Sequence, residues 1–302
     1  MSSTPALHHH TRRLDAWAAA LVVVLCLSWG LNQVSVKFAI HDIPPLIQAA
    51  VRSVAATFIV GTWAIARGQN LFARDGTLLA GIVCGLLFGG EFLLIYQGLV
   101  FTTATRAVLF IYLAPFFVVL GARLLLPADK FSAAQWAGLA LSFGGMLVAF
   151  GVPTPALDPR QIVGDLMMVG AALLWAATTL TIKASRLNRV SSEKVMLYQL
   201  VVSAPMLAIA ALLAGEHLGR VPSATALLAL AYQTVWVVSV TFVVWFALVV
   251  RYSANRLSAF TFLTPLFGVA AGHLLLGEPL TPAFAVAVAL VAGGLILVNR
   301  AK

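Results

Sequence analysis

Ten runs of about 20 apolar residues, separated by short polar breaks, constrain this chain more than any other feature. A bilayer core about 30 Å thick takes roughly 20 residues of helix to cross. The runs fall at 16–39, 45–66, 76–100, 104–126, 132–151, 161–184, 194–214, 224–250, 254–276 and 281–299. Turn-forming and charged residues stand between them, as in His41-Asp42-Ile43-Pro44-Pro45, Arg67-Gly68-Gln69-Asn70 and Pro127-Ala128-Asp129-Lys130. Of the 302 residues 61% are hydrophobic and only 10% charged, against about 25% charged in a soluble domain. So few charges cannot cover a water-facing surface, so the expected fold is all-α integral membrane. The breaks are too short to hold a soluble domain.

The net charge of +9 would point to nucleic acid in a soluble chain. In a membrane protein, lysine and arginine collect in cytoplasmic loops instead. With the N-terminus cytoplasmic, 14 of the 19 basic residues lie on that side; Lys37, Arg106, Arg160 and Arg220 lie opposite, and Arg52 sits inside the second run. The expectation is a multi-pass inner-membrane protein with both termini cytoplasmic and no nucleic-acid partner. Cys26 and Cys84 both lie in apolar runs, with no disulfide or metal spacing. His8, His9 and His10 read as part of a tail. The first apolar run, following Arg12 and Arg13, is longer than a signal-peptide core.

The chain repeats itself. Trp29-Gly30-Leu31-Asn32-Gln33-Val34-Ser35-Val36-Lys37 parallels Trp175-Ala176-Ala177-Thr178-Thr179-Leu180-Thr181-Ile182-Lys183. Each has a Trp, then polar residues three and four positions on, which share a helix face with it, and a lysine at the end. Downstream, Thr103-Ala104-Thr105-Arg106 parallels Ser253-Ala254-Asn255-Arg256, and Pro115 and Pro265 each follow nine residues after the arginine. Leu124-Leu125-Leu126 matches Leu274-Leu275-Leu276, and Gly144-Gly145 matches Gly293-Gly294. The expected organisation is a cytoplasmic tail (1–15), a first five-helix repeat (16–151), a periplasmic linker (152–160) and a second five-helix repeat (161–302). Five spans per repeat are an odd number, so the second copy enters the membrane from the opposite side. Inverted repeats are a hallmark of secondary transporters, which bind substrate near the midplane between the repeats.

Several of these motifs together resemble the EamA family of the drug/metabolite transporter superfamily. They are Trp29-Gly30-x-Asn32, Lys37, Pro44-Pro45 and Arg52; then Ala104, Arg106 and Pro115; then Gly277-Glu278-Pro279-Leu280-Thr281-Pro282; and the closing Gly293-Gly294. The resemblance runs from about residue 16 to 299. It implies ten helices, cytoplasmic termini and export of amino acids or other small metabolites. The first repeat departs from the family pattern, carrying Pro127-Ala128-Asp129 where the second keeps Gly277-Glu278.

Glu91 is the most informative single residue, because a charge at bilayer depth costs roughly 2.5–3.5 kcal/mol even on lenient insertion scales. It is expected either to hold helices together or to contact a substrate amine or carry a coupling proton. Asn32, Gln33, Thr178 and Thr179 are expected to line the cavity, as uncharged groups that bind a polar solute and release it again. Trp29, Trp175, Trp245, Tyr96 and Tyr112 are candidates for its wall, with Trp236 beside them. Lys37 and Lys183 either snorkel to headgroups or act in gating. Pro115 and Pro265 free backbone carbonyls mid-helix and are candidate hinges. Arg52 either pairs with an acidic group or reaches the interface; Arg106 and Arg256 read as structural. The spacings Gly81-x3-Gly85-x3-Gly89 and Gly268-x3-Gly272 permit close helix approach.

The sequence carries no G-x-x-x-x-G-K-[ST] loop for ATP, no H-E-x-x-H and no G-x-S-x-G. An intramembrane enzyme or a membrane sensor or scaffold are therefore weaker readings than a secondary exporter of a small polar metabolite, an amino acid or derivative, working by alternating access. Uptake, or drug or nucleotide-sugar transport on the same fold, are its rivals. The expected partners are a small-molecule substrate, the lipid bilayer and protons as a candidate coupling ion. No cofactor or metal is expected, and a monomer or weak dimer is the expected state.

Overall fold

The computed structural model describes residues 14–126, 131–151, 158–277 and 280–300, apart from the side chains of Gln33, Ala104, Thr105 and Leu276. The tail with its three histidines, Pro127-Ala128-Asp129, most of the expected 152–160 linker and Glu278 lie outside the described residues.

Among the described residues ten helices are long and apolar enough to cross a membrane: α1 (Ala16–Ile40), α2 (Pro45–Ala66), α3 (Leu78–Phe101), α4 (Arg106–Leu125), α5 (Ala133–Phe150), α6 (Pro159–Ala184), α7 (Ser192–Leu213), α8 (Ala224–Arg251), α9 (Ala254–Leu275) and α10 (Pro282–Arg300). Their starts carry the chemistry that satisfies the free N–H groups of a first turn. The Asp15 carboxylate accepts from Ala18 N at 2.8 Å, and Ser132 and Gln135 form a reciprocal capping box. Ser191, Ser223 and Ser253 cap α7, α8 and α9 through their hydroxyls.

Two helices expected to run continuously are interrupted at matching places. α4 consists of Ala104–Ile111 and Ala114–Leu125, and α9 of Ala254–Phe260 and Leu263–Leu276. Proline lacks the N–H of the regular ladder, and its ring crowds the carbonyl four residues earlier. For Pro115 that residue is Ile111 and for Pro265 it is Thr261, which is where the helices break. Tighter turns bridge both gaps, with Phe116 N donating to Leu113 O at 3.0 Å and Thr264 N to Thr261 O at 2.9 Å.

α8 departs from expectation in another way. Its central part, Tyr232–Thr241, winds as a π-helix between Ala224–Ala231 and Phe242–Arg251. Thr234, Val235, Val237, Val238, Val240 and Thr241 are β-branched and crowd an α-helical turn. Widening the turn relieves that crowding, and the Thr241 hydroxyl donates back to Val237 O at 2.6 Å. Such irregular winding in a helix tends to mark functional sites.

The packing keeps its form when α1–α5 are exchanged for α6–α10. α1 packs on α8 and α9, as α6 packs on α3 and α4; α2 pairs with α7, and α5 with α10. Small residues bring these pairs together. A methyl group on Gly138 of α5 would lie 2.6 Å from the Gly294 carbonyl of α10, and one on Gly85 of α3 would lie 2.8 Å from the Tyr198 carbonyl of α7. Gly81, Gly85 and Gly89 thus serve close packing inside the bundle. The Gln135 amide adds a hydrogen bond to Val298 O at 3.1 Å. Outward, large apolar side chains such as Phe58, Leu124, Leu212 and Leu274 stand exposed. In lipid that surface is solvated rather than an aggregation hazard.

Candidate substrate cavity

A cavity of about 850 Å³, its open mouth included, lies where the two halves meet. α1 contributes Trp29 and Asn32, α2 contributes Arg52, and α3 contributes Phe88, Glu91 and Phe92. Tyr112 enters from the interruption of α4. The second half supplies Trp175, Thr178 and Thr179 from α6, Thr264 from α9, and Val237, Phe242, Trp245 and Phe246 from α8. Spacings of three and four residues put Trp29 with Asn32, Phe88 with Glu91 and Phe92, and Trp175 with Thr178 and Thr179 on single helix faces.

The wall is largely aromatic and interlocked edge to face, the arrangement ring quadrupoles favour. Trp29 meets Trp245 at 5.3 Å and Phe242 at 5.8 Å between ring centroids; Phe88 meets Phe92 at 4.9 Å, and Tyr112 meets Trp175 at 5.9 Å. Trp29 is held further by its indole N–H, which donates to Thr241 Oγ1 at 2.9 Å. The polar members are arranged to receive hydrogen bonds. Thr178 and Thr179 spend their own hydroxyl hydrogens on Leu174 O (2.9 Å) and Trp175 O (3.2 Å). Their oxygens therefore remain acceptors for a solute.

Arg52 and Glu91 are the only charged residues in the described lining. The Arg52 guanidinium lies over the Phe92 ring, 4.5 Å from its centroid, and its buried Nε–H has no acceptor. The residue is 3% exposed.

Of the ten expected contacts, all except Gln33 and Tyr96 line the cavity. The side chain of Gln33 lies outside the described residues. Tyr96 is a correction: five residues beyond Glu91 on a helix of 3.6 residues per turn, it points away from the cavity. It packs with Phe92 against Ala49, Ala50 and Leu207. Trp236 also turns away, its indole N–H donating to Ser28 Oγ at 3.0 Å. Lys37 is exposed, and Lys183 is buried with its ammonium committed to backbone carbonyls at the end of α8. Neither lysine faces the cavity. Arg52, Phe88, Phe92, Val237, Phe242, Phe246 and Thr264 were not expected there. Helical spacing could have found Phe88 from Glu91 and Phe242 from Trp245, each three residues earlier.

Polar ties close the loops around the cavity. At one face Asp42 pairs with Arg220 and accepts from Ser223 N at 2.8 Å, while Glu216 accepts from Ile47 N at 2.9 Å at the start of α2. The Ser223 hydrogen bonds and the Arg220 guanidinium hold Asp42 below the ordinary carboxylate range. At the opposite end of α2, Asp75 pairs with Lys194 at 2.8 Å. Hydrogen bonds from Lys194 and then Thr77 pull the Asp75 pKa down to about 2.

The chain is similar along nearly its full length to proteins described as transporters or efflux pumps. It is 28% identical over 280 residues to a protein of Salmonella typhimurium named as a probable amino-acid metabolite efflux pump, covering 89% of both chains. An Escherichia coli K12 protein with the same description is 27% identical over 289 residues, again covering 89% of each. The uncharacterized transporter YoaV of Bacillus subtilis is 25% identical over 269 residues, 86% of this chain and 89% of that one. A solved crystal structure shares the fold with a TM-score of 0.82 at 21% identity, covering 95% of this chain and 99% of the other. The EamA-like transporter family model matches residues 16–151 and again 162–300, one match for each half. By that double match across a bundle of ten membrane helices, the chain belongs to the EamA-like transporter family.

Proposed function

We propose that the protein exports a small polar metabolite, an amino acid or a close derivative, across the cell inner membrane by alternating access. The observation behind this reading is a cavity walled by both halves of the chain, with Glu91 among aromatic rings and hydrogen-bond acceptors. The halves are taken as inverted, because five spans reverse the direction of entry. The distribution of lysine and arginine supports cytoplasmic termini. Rocking of one half against the other would expose the cavity to each side in turn. The interrupted α4 and α9 and the π-wound part of α8 border the cavity and would absorb the change. Glu91 serves as the contact for a substrate amine or as the carrier of a coupling proton. The names of the Salmonella and E. coli relatives support the substrate class.

Counterflow in liposomes, with a panel of labelled amino acids, tests this. Exchange of one amino-acid class, slowed roughly tenfold or more by Glu91→Gln, is expected. No exchange of any amino acid would overturn the substrate class. A wild-type rate and pH dependence in Glu91→Gln would remove Glu91 from the pathway.

A further inference from the structure

We infer that the cavity recognises a zwitterion, with Arg52 taking the carboxylate and Glu91 the ammonium of a substrate whose remaining part is apolar. The inference rests on the amino-acid reading above and assigns its chemistry.

Arg52 on α2 and Glu91 on α3 face one cavity. Yet no ion pair or hydrogen bond joins either to a partner among the described residues. Buried opposite charges normally close on one another, because an unpaired charge away from water is costly. Here the Phe92 ring lies against the guanidinium. Its orientation is thereby set, while the Nε–H stays buried without an acceptor. A guanidinium edge with a free Nε–H matches a carboxylate, which accepts two parallel hydrogen bonds from such a fork.

The lining carries one basic and one acidic side chain. A zwitterion brings one group of each sign and satisfies both without adding net charge to a site of low polarity. An amine alone would leave Arg52 unmatched, and a carboxylate alone would leave Glu91 unmatched. The other walls, Trp29, Phe88, Trp175, Phe242 and Trp245 among them, offer ring surface and no further charge. They fit an apolar side chain.

Counterflow of leucine, with isopentylamine and 4-methylpentanoate as its two charge-deleted analogues, tests the inference. The wild type should exchange leucine and carry either analogue roughly 10- to 100-fold more slowly. Arg52→Gln should lose leucine selectivity in favour of the amine, and Glu91→Gln in favour of the carboxylate. Arg52→Lys, which keeps the charge and loses the fork, should exchange leucine at an intermediate rate. The binding side is read by thermal stabilisation of the purified variants with each probe, which needs only folded protein. If the wild type carries both analogues as fast as leucine, or both Gln variants keep the wild-type order of probes, the zwitterion assignment is wrong while amino-acid export stands. If no amino acid exchanges at all, the functional reading fails and this one with it.

Discussion

Lys183, in the last turn of α6, donates its ammonium to the backbone carbonyl of Tyr252, the residue at which α8 ends, with the Val250 carbonyl 3.5 Å away. The last carbonyls of a helix have no partners within it and carry its negative end. A buried cation seated there ties the two helices that supply most of the second half's share of the cavity. Asp15 adds to the same corner, accepting from the Tyr252 hydroxyl at 3.0 Å.

Lys183→Met should therefore destabilise the protein by about 2 kcal/mol, the range for a hydrogen bond to a charged group. Lys183→Arg should retain most of the stability. Thermal unfolding in detergent reads the loss. Because Lys183 lies outside the cavity, substrate affinity should stay at the wild-type value while the transport rate changes. A matching loss of affinity would put the lysine in the binding site instead.

The number of spans, their approximate limits and the repeat were legible in the sequence because each depends on local pattern. A run of 20 apolar residues has one use in a bilayer, and the two Trp-led stripes announce themselves by spacing alone. That Glu91, Asn32 and the Thr178–Thr179 pair line the cavity was legible because a polar group within an apolar span must face something polar. The role of Arg52 was open, since no local pattern says whether a long side chain turns inward or reaches the headgroups. Phe92 and Phe246 carried no such signal, because each is next in sequence to a candidate residue and adjacent residues do not share a helix face. They reach the cavity four residues beyond Phe88 and Phe242, on the same helix faces. Tyr96 was misplaced for a related reason, since proximity in sequence to Glu91 does not put it on the same face.

Arg106 and Asp165 form a second buried tie, between the start of α4 and α6, with side chains 11% and 10% exposed. Asp165 also accepts from the Thr102 hydroxyl at 2.6 Å. Removing one member of such a pair strands the other. Asp165→Ala should cost about 3 kcal/mol. The double variant Arg106→Met with Asp165→Leu, which replaces the pair by apolar groups, should recover more than half of that. Thermal unfolding of the single and double variants gives the coupling directly. Additive losses would mean that the two side chains contribute independently.

Acid should loosen the Asp75–Lys194 tie. Asp75 has a folded-state pKa of about 2, below the roughly 3.9 of an unperturbed aspartate. A lowered carboxylate pKa contributes stability that is complete above the unfolded value and disappears as pH falls through the folded one. The loop between α2 and α3 should thus become less protected from hydrogen exchange between about pH 4 and pH 2. Asp75→Asn should show the weakened protection already at neutral pH and no step in that window. A step of wild-type size in Asp75→Asn would assign the effect to another carboxylate.

Gly30 and Gly144 should respond oppositely to the same added methyl group. A Cβ on Gly30 would stand 2.7 Å from the Gly268 nitrogen and 2.7 Å from the Phe267 Cβ, so α1 could not keep its approach to α9. Backbone cannot swing aside as a side chain can, and overpacking of this kind costs about 1–3 kcal/mol. Gly30 also lies between Trp29 and the cavity residue Asn32, so the displacement would pass directly into the cavity wall. A Cβ on Gly144 of α5 would meet nothing within 4 Å. There the better helix propensity of alanine, up to about 1 kcal/mol over glycine, should leave stability unchanged or raised. Gly30→Ala should lower both the melting temperature and the exchange rate, while Gly144→Ala lowers neither. If Gly30→Ala transports at the wild-type rate, then α1 and α9 must separate during the cycle without penalty, and the close approach of Gly30 to Gly268 is not required for the transport-competent state.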